Sequence, residues 1–171
     1  RAVLGNHDAA VLAWRERAAA PAVPLNWDQW TLGQLGPAHL AHLAALPETL
    51  SLSACGLPTV ARHQLPGAPY LHPAMPDGVL ATHVVGLSSP LTLCGHSHRA
   101  LDRTVSGRRL ICLPAVGQPR NGDLRAGYAL EHGGGLAFHL VAYDVARVLA
   151  DLERIGLPDA FLQRWTNFVR T

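Results

Sequence analysis

The stretch Leu91–Cys94, followed by Gly95-His96-Ser97-His98, constrains the fold of this chain more than any other. A short apolar run that ends at a glycine is typical of a buried strand that leaves its sheet in a sharp turn. Residues two apart in an extended segment point to the same side, so His96 and His98 are predicted to face one region, with Ser97 clear of it. Neutral imidazole binds Zn, Fe, Mn or Ni well. On these residues alone, a metal site and a surface loop are equally good interpretations.

Two more apolar runs end in polar residues of the same kind. Residues 2–4 are predicted to be the tail of a strand, and Gly5-Asn6-His7-Asp8 follows, with Asp8 as the N-cap of a helix over 9–20. A strand over 58–62 is followed directly by His63. If these strands are neighbours in one sheet, their carboxyl ends open on the same side, as a metal site requires. By itself, Asn6-His7-Asp8 is better explained as a turn and a helix cap.

The remaining elements follow from periodicity and from turn residues. They indicate an α/β layered domain with more than one sheet, organised as a single domain over 1–171. Residues 21–30 are predicted to be irregular. His39 and His42, in the next helix, are predicted to be exposed to solvent. The predicted helices are 37–47, 76–86 (with Val79, Leu80, Val84 and Leu87 inward), 145–152 and one from Pro158; the predicted strands are 49–54, 108–113, 128–131 and 136–143.

Composition excludes several classes of protein. The chain has 171 residues, 49% of them apolar and 15% charged, with a net charge of +2, so a folded core is expected and nucleic-acid binding is not. The three cysteines form no CxxC spacing, which favours buried thiols in a reducing compartment and a cytoplasmic location. The sequence has no apolar run long enough to span a bilayer and no signal peptide, so no membrane association is expected.

Taken in order, Gly5-Asn6-His7-Asp8, His63 and Gly95-His96-Ser97-His98 resemble the motifs of the calcineurin-like metallophosphoesterase family. His63-Gln64-Leu65-Pro66 with Tyr70, and Val116–Arg120, are similar to segments of a small bacterial branch of that family. The likeness extends from Leu4 to about Tyr143. It implies an α/β fold of the metallophosphoesterase type, a four-layer αββα sandwich that here lacks its first β-α-β segment.

The resemblance also implies a binuclear centre of two divalent metal ions (Mn, Fe, Zn or Ni). Asn6, His63 and His96 would hold one ion, and His98 would reach the other. His7 would be the catalytic acid or electrostatic stabiliser at the leaving-group oxygen, with Asp8 orienting it. The implied reaction is phosphoester hydrolysis by a phosphatase or phosphodiesterase. The substrate would be a phosphorylated small molecule, a nucleotide or a phosphoprotein, and Arg120 would contact its phosphate or form a structural salt bridge.

Two family motifs that precede the GNHD turn, Asp-x-His and Gly-Asp-x-x, have no counterpart in this chain, which begins at Arg1. We therefore expect an N-terminally incomplete chain that binds metal weakly or binds a single ion. Its exposed apolar edge is expected to favour homo-oligomers. The alternative is a non-catalytic metal-binding or interaction module that retains the fold. A mononuclear His-based hydrolase or oxygenase would need an acid beside the histidines.

Overall fold

The computed structural model describes residues 1–17, 26–67, 69–155 and 162–163. The chain divides into two compact units: unit 1 comprises 1–48 and 144–170, and unit 2 comprises 49–143 and residue 171. The single domain over 1–171 stays a prediction. The predicted helix from Pro158 lies outside the described residues except at 162–163, which are helical. The helices are α1 (Asn6–Arg15), α2 (Trp27–Gln34), α3 (Pro37–Ala44), α4 (Asp77–Val84) and α5 (Val145–Arg154). The strands are β1 (Thr49–Ala54), β2 (Leu57–Arg62), β3 (Leu91–Cys94), β4 (Leu101–Val105), β5 (Arg108–Cys112), β6 (Ala126–His132) and β7 (Gly135–Val141).

Unit 1 contains helices whose first turns are capped by polar side chains. The Asn26 side chain begins α2 by accepting a hydrogen bond from the Gln29 backbone N–H at 3.0 Å. Asp144 begins α5 in the same way, because its carboxylate accepts from the Arg147 N–H at 2.9 Å. Helix α2 corrects the prediction that 21–30 is irregular: it starts inside that range at Trp27.

The predicted strand at residues 2–4 is wrong. These residues have no strand geometry, and the Leu4 N–H donates to the carbonyl of Pro47 at 2.8 Å. An apolar triplet forms a strand only when a neighbouring strand completes its hydrogen bonds, so the sequence pattern was too short to decide this point.

Unit 2 is built on a five-stranded sheet with the order β1-β2-β3-β5-β4. The three central strands β2, β3 and β5 are parallel, and the edge strands β1 and β4 pair antiparallel with their neighbours. A second, two-stranded sheet consists of β6 and β7. The sheet order places the carboxyl ends of β2, β3 and β5 side by side, which positions the loops described below.

The five-stranded sheet is buried on both faces. On one face Leu80 and Val84 of α4, both fully buried, pack in a cluster with Leu110 of β5. On the other face Leu91 and Ile111 form a smaller cluster, and Leu136 of β7 packs against it. Alternate residues of a strand point to opposite faces, and the apolar run Leu110-Ile111-Cys112 serves both clusters for that reason.

Three two-residue turns set the register of the antiparallel pairs. Cys55-Gly56, Ser106-Gly107 and Gly133-Gly134 all have positive φ at both positions. This is the type I′ geometry, whose twist matches that of the flanking strands. The first of these turns, Cys55-Gly56, joins β1 to β2.

Most of the other predicted elements of unit 2 are confirmed. Strand β3 has the predicted bounds, and the other predicted strands lie within a few residues of the observed ones. Strand β4 was not predicted. Leu80, Val84 and Leu87 are buried as expected, but Val79 is 45% exposed, so its inward assignment is wrong. None of the described helices is long and apolar enough to cross a membrane.

Candidate metal centre

Two of the predicted histidine-bearing strand ends meet in unit 2. Strands β2 and β3 are parallel neighbours, with Thr59 opposite Leu91 and Ala61 opposite Leu93. His63 follows β2 directly, and the Gly95 N–H donates to the His63 carbonyl at 2.8 Å just beyond β3. This hydrogen bond continues the pairing past the strands, so the two loops leave the sheet together.

The rings of His63 and His96 lie next to each other. Their centroids are 5.4 Å apart, with an angle of 74° between the planes. The Tyr70 ring stacks on the His96 ring, with the two centroids 4.5 Å apart and an angle of 28° between the planes. The Arg120 guanidinium lies over the Tyr70 ring at 5.1 Å. His63, His96 and Tyr70 therefore form one cluster of rings.

The backbone of the GHSH turn differs from the prediction. His96 and His98 both lie in the left-handed region, at φ 62° and 56°, and the Ser97 N–H donates to the Gly95 carbonyl at 2.6 Å. The two histidines are therefore not alternate residues of an extended segment, and the same-side argument does not apply to them. Left-handed backbone at non-glycine residues is uncommon and concentrates at functional sites.

Ser97 anchors the turn. It is completely buried, and its hydroxyl oxygen accepts a hydrogen bond from the backbone N–H of Leu71 at 2.7 Å. Leu71 follows Tyr70, so this contact ties the loop after β2 to the turn after β3. The motif pattern did not reveal the role of Ser97.

His98 is held by the loop that follows β5. Its Nδ1–H donates to the carbonyl oxygen of Gln118 at 2.7 Å, and the Arg120 N–H donates to the His98 carbonyl at 3.0 Å. With the proton on Nδ1, the neutral ring carries its lone pair on Nε2, the atom that would bind a metal. Histidine ligands in proteins are oriented by such a contact from their other nitrogen. The Val116–Arg120 segment thus supports His98.

Two buried thiols lie beneath the turn. Cys94 and Cys112 are register partners in β3 and β5, and the Cys112 Sγ donates to the Gly95 carbonyl at 3.0 Å. Hydrogen bonding with Cys112, together with burial, raises the pKa of the Cys94 thiol. A thiol with a raised pKa is a poor nucleophile and a poor metal ligand, so Cys94 acts as packing.

In unit 1, Asn6, His7 and Asp8 form the first turn of α1 rather than a loop before it. The Asp8 carboxylate accepts a hydrogen bond from the Gly5 N–H at 2.8 Å, so Asp8 caps the helix from inside its first turn, not as the predicted N-cap. Asp8 was also expected to orient His7. In the structure the carboxylate next to His7 belongs to Asp28, whose Oδ1 lies 2.7 Å from His7 Nδ1.

Asp28 is the residue that motif reading missed. It lies in α2, 21 positions after His7, so spacing alone could not reveal the pair. The His7 side chain is 76% exposed and that of Asp28 is 20% exposed. An exposed imidazole whose Nδ1 faces a carboxylate has its tautomer set, with Nε2 directed away from the pair.

These imidazoles fit divalent transition-metal ligation. His63 and His96 are adjacent, and His98 is oriented through Nδ1, which is the usual arrangement of histidine ligands. Over the part of the chain that the structure describes, no group of three or more His, Cys, Asp or Glu side chains is arranged to hold a metal ion. Asn6 belongs to unit 1, and its assignment as a ligand stays a prediction.

The chain is similar to several solved structures. No protein-family model matches it, and no curated protein matches it at a significant level. A metallophosphoesterase from Sphaerobacter thermophilus shares 28% identity at a TM-score of 0.73, over 97% of this chain and 76% of that one. A hypothetical protein from Pyrococcus horikoshii OT3 shares the fold at 18% identity and a TM-score of 0.77, over 94% of this chain and 70% of that one. The chain therefore has the calcineurin-like metallophosphoesterase fold that its GNHD and GHSH motifs predicted.

Proposed function

We propose that this protein is a metal-dependent phosphoester hydrolase, a phosphatase or phosphodiesterase that uses a binuclear metal centre. The observation that carries the proposal is the pairing of the His63 and His96 rings at two adjacent parallel strand ends. The similarity to the Sphaerobacter metallophosphoesterase supports it. Phosphorylated small molecules, nucleotides and phosphoproteins are all substrates of suitable chemistry.

His63, His96 and His98 would hold the divalent ions, with Asn6 as the predicted ligand from unit 1. The bound metal would neutralise charge on the phosphoryl oxygens and lower the pKa of a coordinated water. Within the protein, the Gln118 carbonyl fixes the tautomer of His98, and Ser97 holds the turn that carries it. The left-handed backbone at both histidines is maintained by these contacts.

His7 would be the proton donor to the leaving group. Asp28 accepts the Nδ1–H, so in the doubly protonated imidazolium the Nε2 proton is the one available to the leaving-group oxygen. Asp28 would then be a positioning residue rather than a catalytic one, since it acts through His7. The catalytic role of Asp8 stays a prediction, and its carboxylate stabilises the helix turn that carries His7.

The test is hydrolysis of p-nitrophenyl phosphate and bis-p-nitrophenyl phosphate with Mn²⁺, comparing the full chain with His98→Ala. We expect the variant to lose about 100-fold or more in kcat/KM, because a ligand and its oriented lone pair are removed. His132→Ala is the matched control, since His132 is an exposed residue at the end of β6, and it should retain wild-type rates.

Calorimetric titration with Mn²⁺ separates the alternatives. Metal binding that weakens in His98→Ala, together with hydrolysis that falls in parallel, supports the proposal. Metal binding without hydrolysis of either ester favours the non-catalytic metal-binding module. Full hydrolysis by His98→Ala would show that the metal site is assigned to the wrong residues.

A further inference from the structure

Unit 1 contains a cavity of about 420 Å³ between α1, α2 and α3. The volume lies in the range of small-molecule sites, which is roughly 300–1,000 Å³. All of its described lining residues belong to unit 1, and His7 and Asp28 are among them. The cavity therefore borders the same His–Asp pair that we assign to proton donation.

The walls of the cavity have two kinds of surface. Val11, which is 3% exposed, and the apolar side chains Leu35 and Leu43 provide the non-polar surface. Polar groups from Thr31 and Gln34 also line the cavity. An apolar surface with a few polar groups is typical of a site that takes a flat or ring-shaped organic group.

The charges that line the cavity disfavour a phosphate. The sequence has no lysine, and none of the described lining residues is an arginine. The ionisable acids that line it are Asp8 and Asp28, and a second phosphate would be repelled by both. His39 also lines it, and its Nδ1 accepts from the Gly36 N–H at 3.3 Å, so Nε2–H is a donor in the neutral ring. The cavity offers hydrogen-bond acceptors and donors without a cationic clamp.

We propose that this cavity is the subsite for the leaving group of the phosphoester, and that the leaving group is an uncharged, ring-containing alcohol with hydrogen-bond donors and acceptors, as in a nucleoside. The inference rests on the proposed function, because it takes His7 as the proton donor. A group seated among Val11, Leu35 and Leu43 leaves its oxygen within the region that His7 lines. The cavity thus favours nucleoside-type esters over phosphoproteins and over chains of further phosphates.

The test is binding of adenosine to the metal-free full chain, followed through the imidazole signals of His39 and His42 by NMR. Both histidines line the cavity and are exposed. Thr31→Phe places a ring from α2 in the cavity, where it would occupy the space that adenosine needs. The Kd for adenosine should therefore rise about tenfold or more. Thr82→Phe places the same ring on the exposed side of α4, in unit 2, and should bind adenosine within about twofold of wild type.

Inorganic phosphate is the competing probe. Saturable shifts of the two imidazole signals with adenosine, lost in Thr31→Phe and unaffected by phosphate, support the inference. Equal binding by Thr31→Phe and Thr82→Phe, or displacement of adenosine by phosphate, overturns it. The assay is independent of turnover: adenosine binding without hydrolysis would sink the proposed function alone, and hydrolysis with no cavity effect would sink this inference alone.

Discussion

His7 and Asp28 show how a single contact decides the chemistry of a residue. Motif order predicts a catalytic role for His7, with Asp8, the next residue in the sequence, as the partner that orients it. In the first turn of a helix, an acid at the third position reaches back to the backbone N–H before the helix, and Asp8 does so. The carboxylate that contacts the His7 imidazole is instead that of Asp28, in α2.

Asp28→Asn is expected to slow hydrolysis without unfolding the protein. Since the pair is largely exposed on the His7 side, its contribution to stability is within about 1 kcal/mol. The loss of a fixed tautomer should lower kcat about 100-fold for an ester with an alkyl alcohol leaving group, and much less for p-nitrophenyl phosphate, which needs little proton donation. Steady-state kinetics with both esters measures this difference.

The NMR signature of this change is specific. In the neutral His7 ring of the wild type the proton should lie on Nδ1, and in Asp28→Asn the two neutral tautomers should mix. Asp77→Asn is the matched control, since it makes the same change at the exposed Asp77–Arg103 pair of unit 2. Equal kcat loss for both esters, or an unchanged tautomer, would contradict the positioning role of Asp28.

At the scale of elements, β6 is held close to the loop that follows β5. A Cβ added at Gly127 would lie 2.4 Å from the Cβ of Pro114 and 3.3 Å from the carbonyl oxygen of Ala115. The Gly127 N–H also donates to that carbonyl at 2.7 Å. Only a residue without a side chain permits this approach.

Gly127→Ala is therefore expected to lower the free energy of unfolding by about 1–3 kcal/mol, the usual cost of overpacking. Gly135→Ala is the matched control in the same hairpin, because its added Cβ would lie 3.6 Å from the His132 carbonyl, an ordinary contact. It should be neutral or stabilising by up to about 1 kcal/mol, since it reduces the entropy of the unfolded chain. Urea unfolding of the two variants decides the point, and equal stabilities would show that β6 can shift without cost.

Elements with a strong local pattern could be predicted from the sequence, and elements that depend on partners could not. Strand β3 is a short, mostly apolar run, and its bounds were predicted. Strand β4 reads Leu-Asp-Arg-Thr-Val, where only the terminal Leu101 and Val105 are buried, so its charged middle concealed it. Helix α2 depends on the Asn26 cap, a signal that the surrounding tryptophans obscured. The roles of the candidate site residues stay predictions. The contacts around them, from the Gln118 carbonyl to His98 and from the Leu71 N–H to the Ser97 hydroxyl, are ones that motif spacing does not encode.

At the scale of the molecule, the four tryptophans allow the two units to be observed separately. The sequence from 49 to 143 contains none, so Trp14, Trp27, Trp30 and Trp165 all lie in the sequence ranges of unit 1. Tryptophan fluorescence thus follows unit 1, whereas far-ultraviolet circular dichroism follows both units.

This contrast tests the predicted single domain over 1–171. If the chain unfolds as one cooperative domain, Gly127→Ala, which perturbs unit 2, should shift the urea midpoint by the same amount in fluorescence and in circular dichroism, because a two-state transition has one midpoint for every probe. If the units unfold independently, the fluorescence midpoint should stay at its wild-type value while the circular dichroism curve splits into two steps. The second result would replace the single domain with two, and it would mean that Asn6 and His7 sit on a different cooperative unit from His63, His96 and His98.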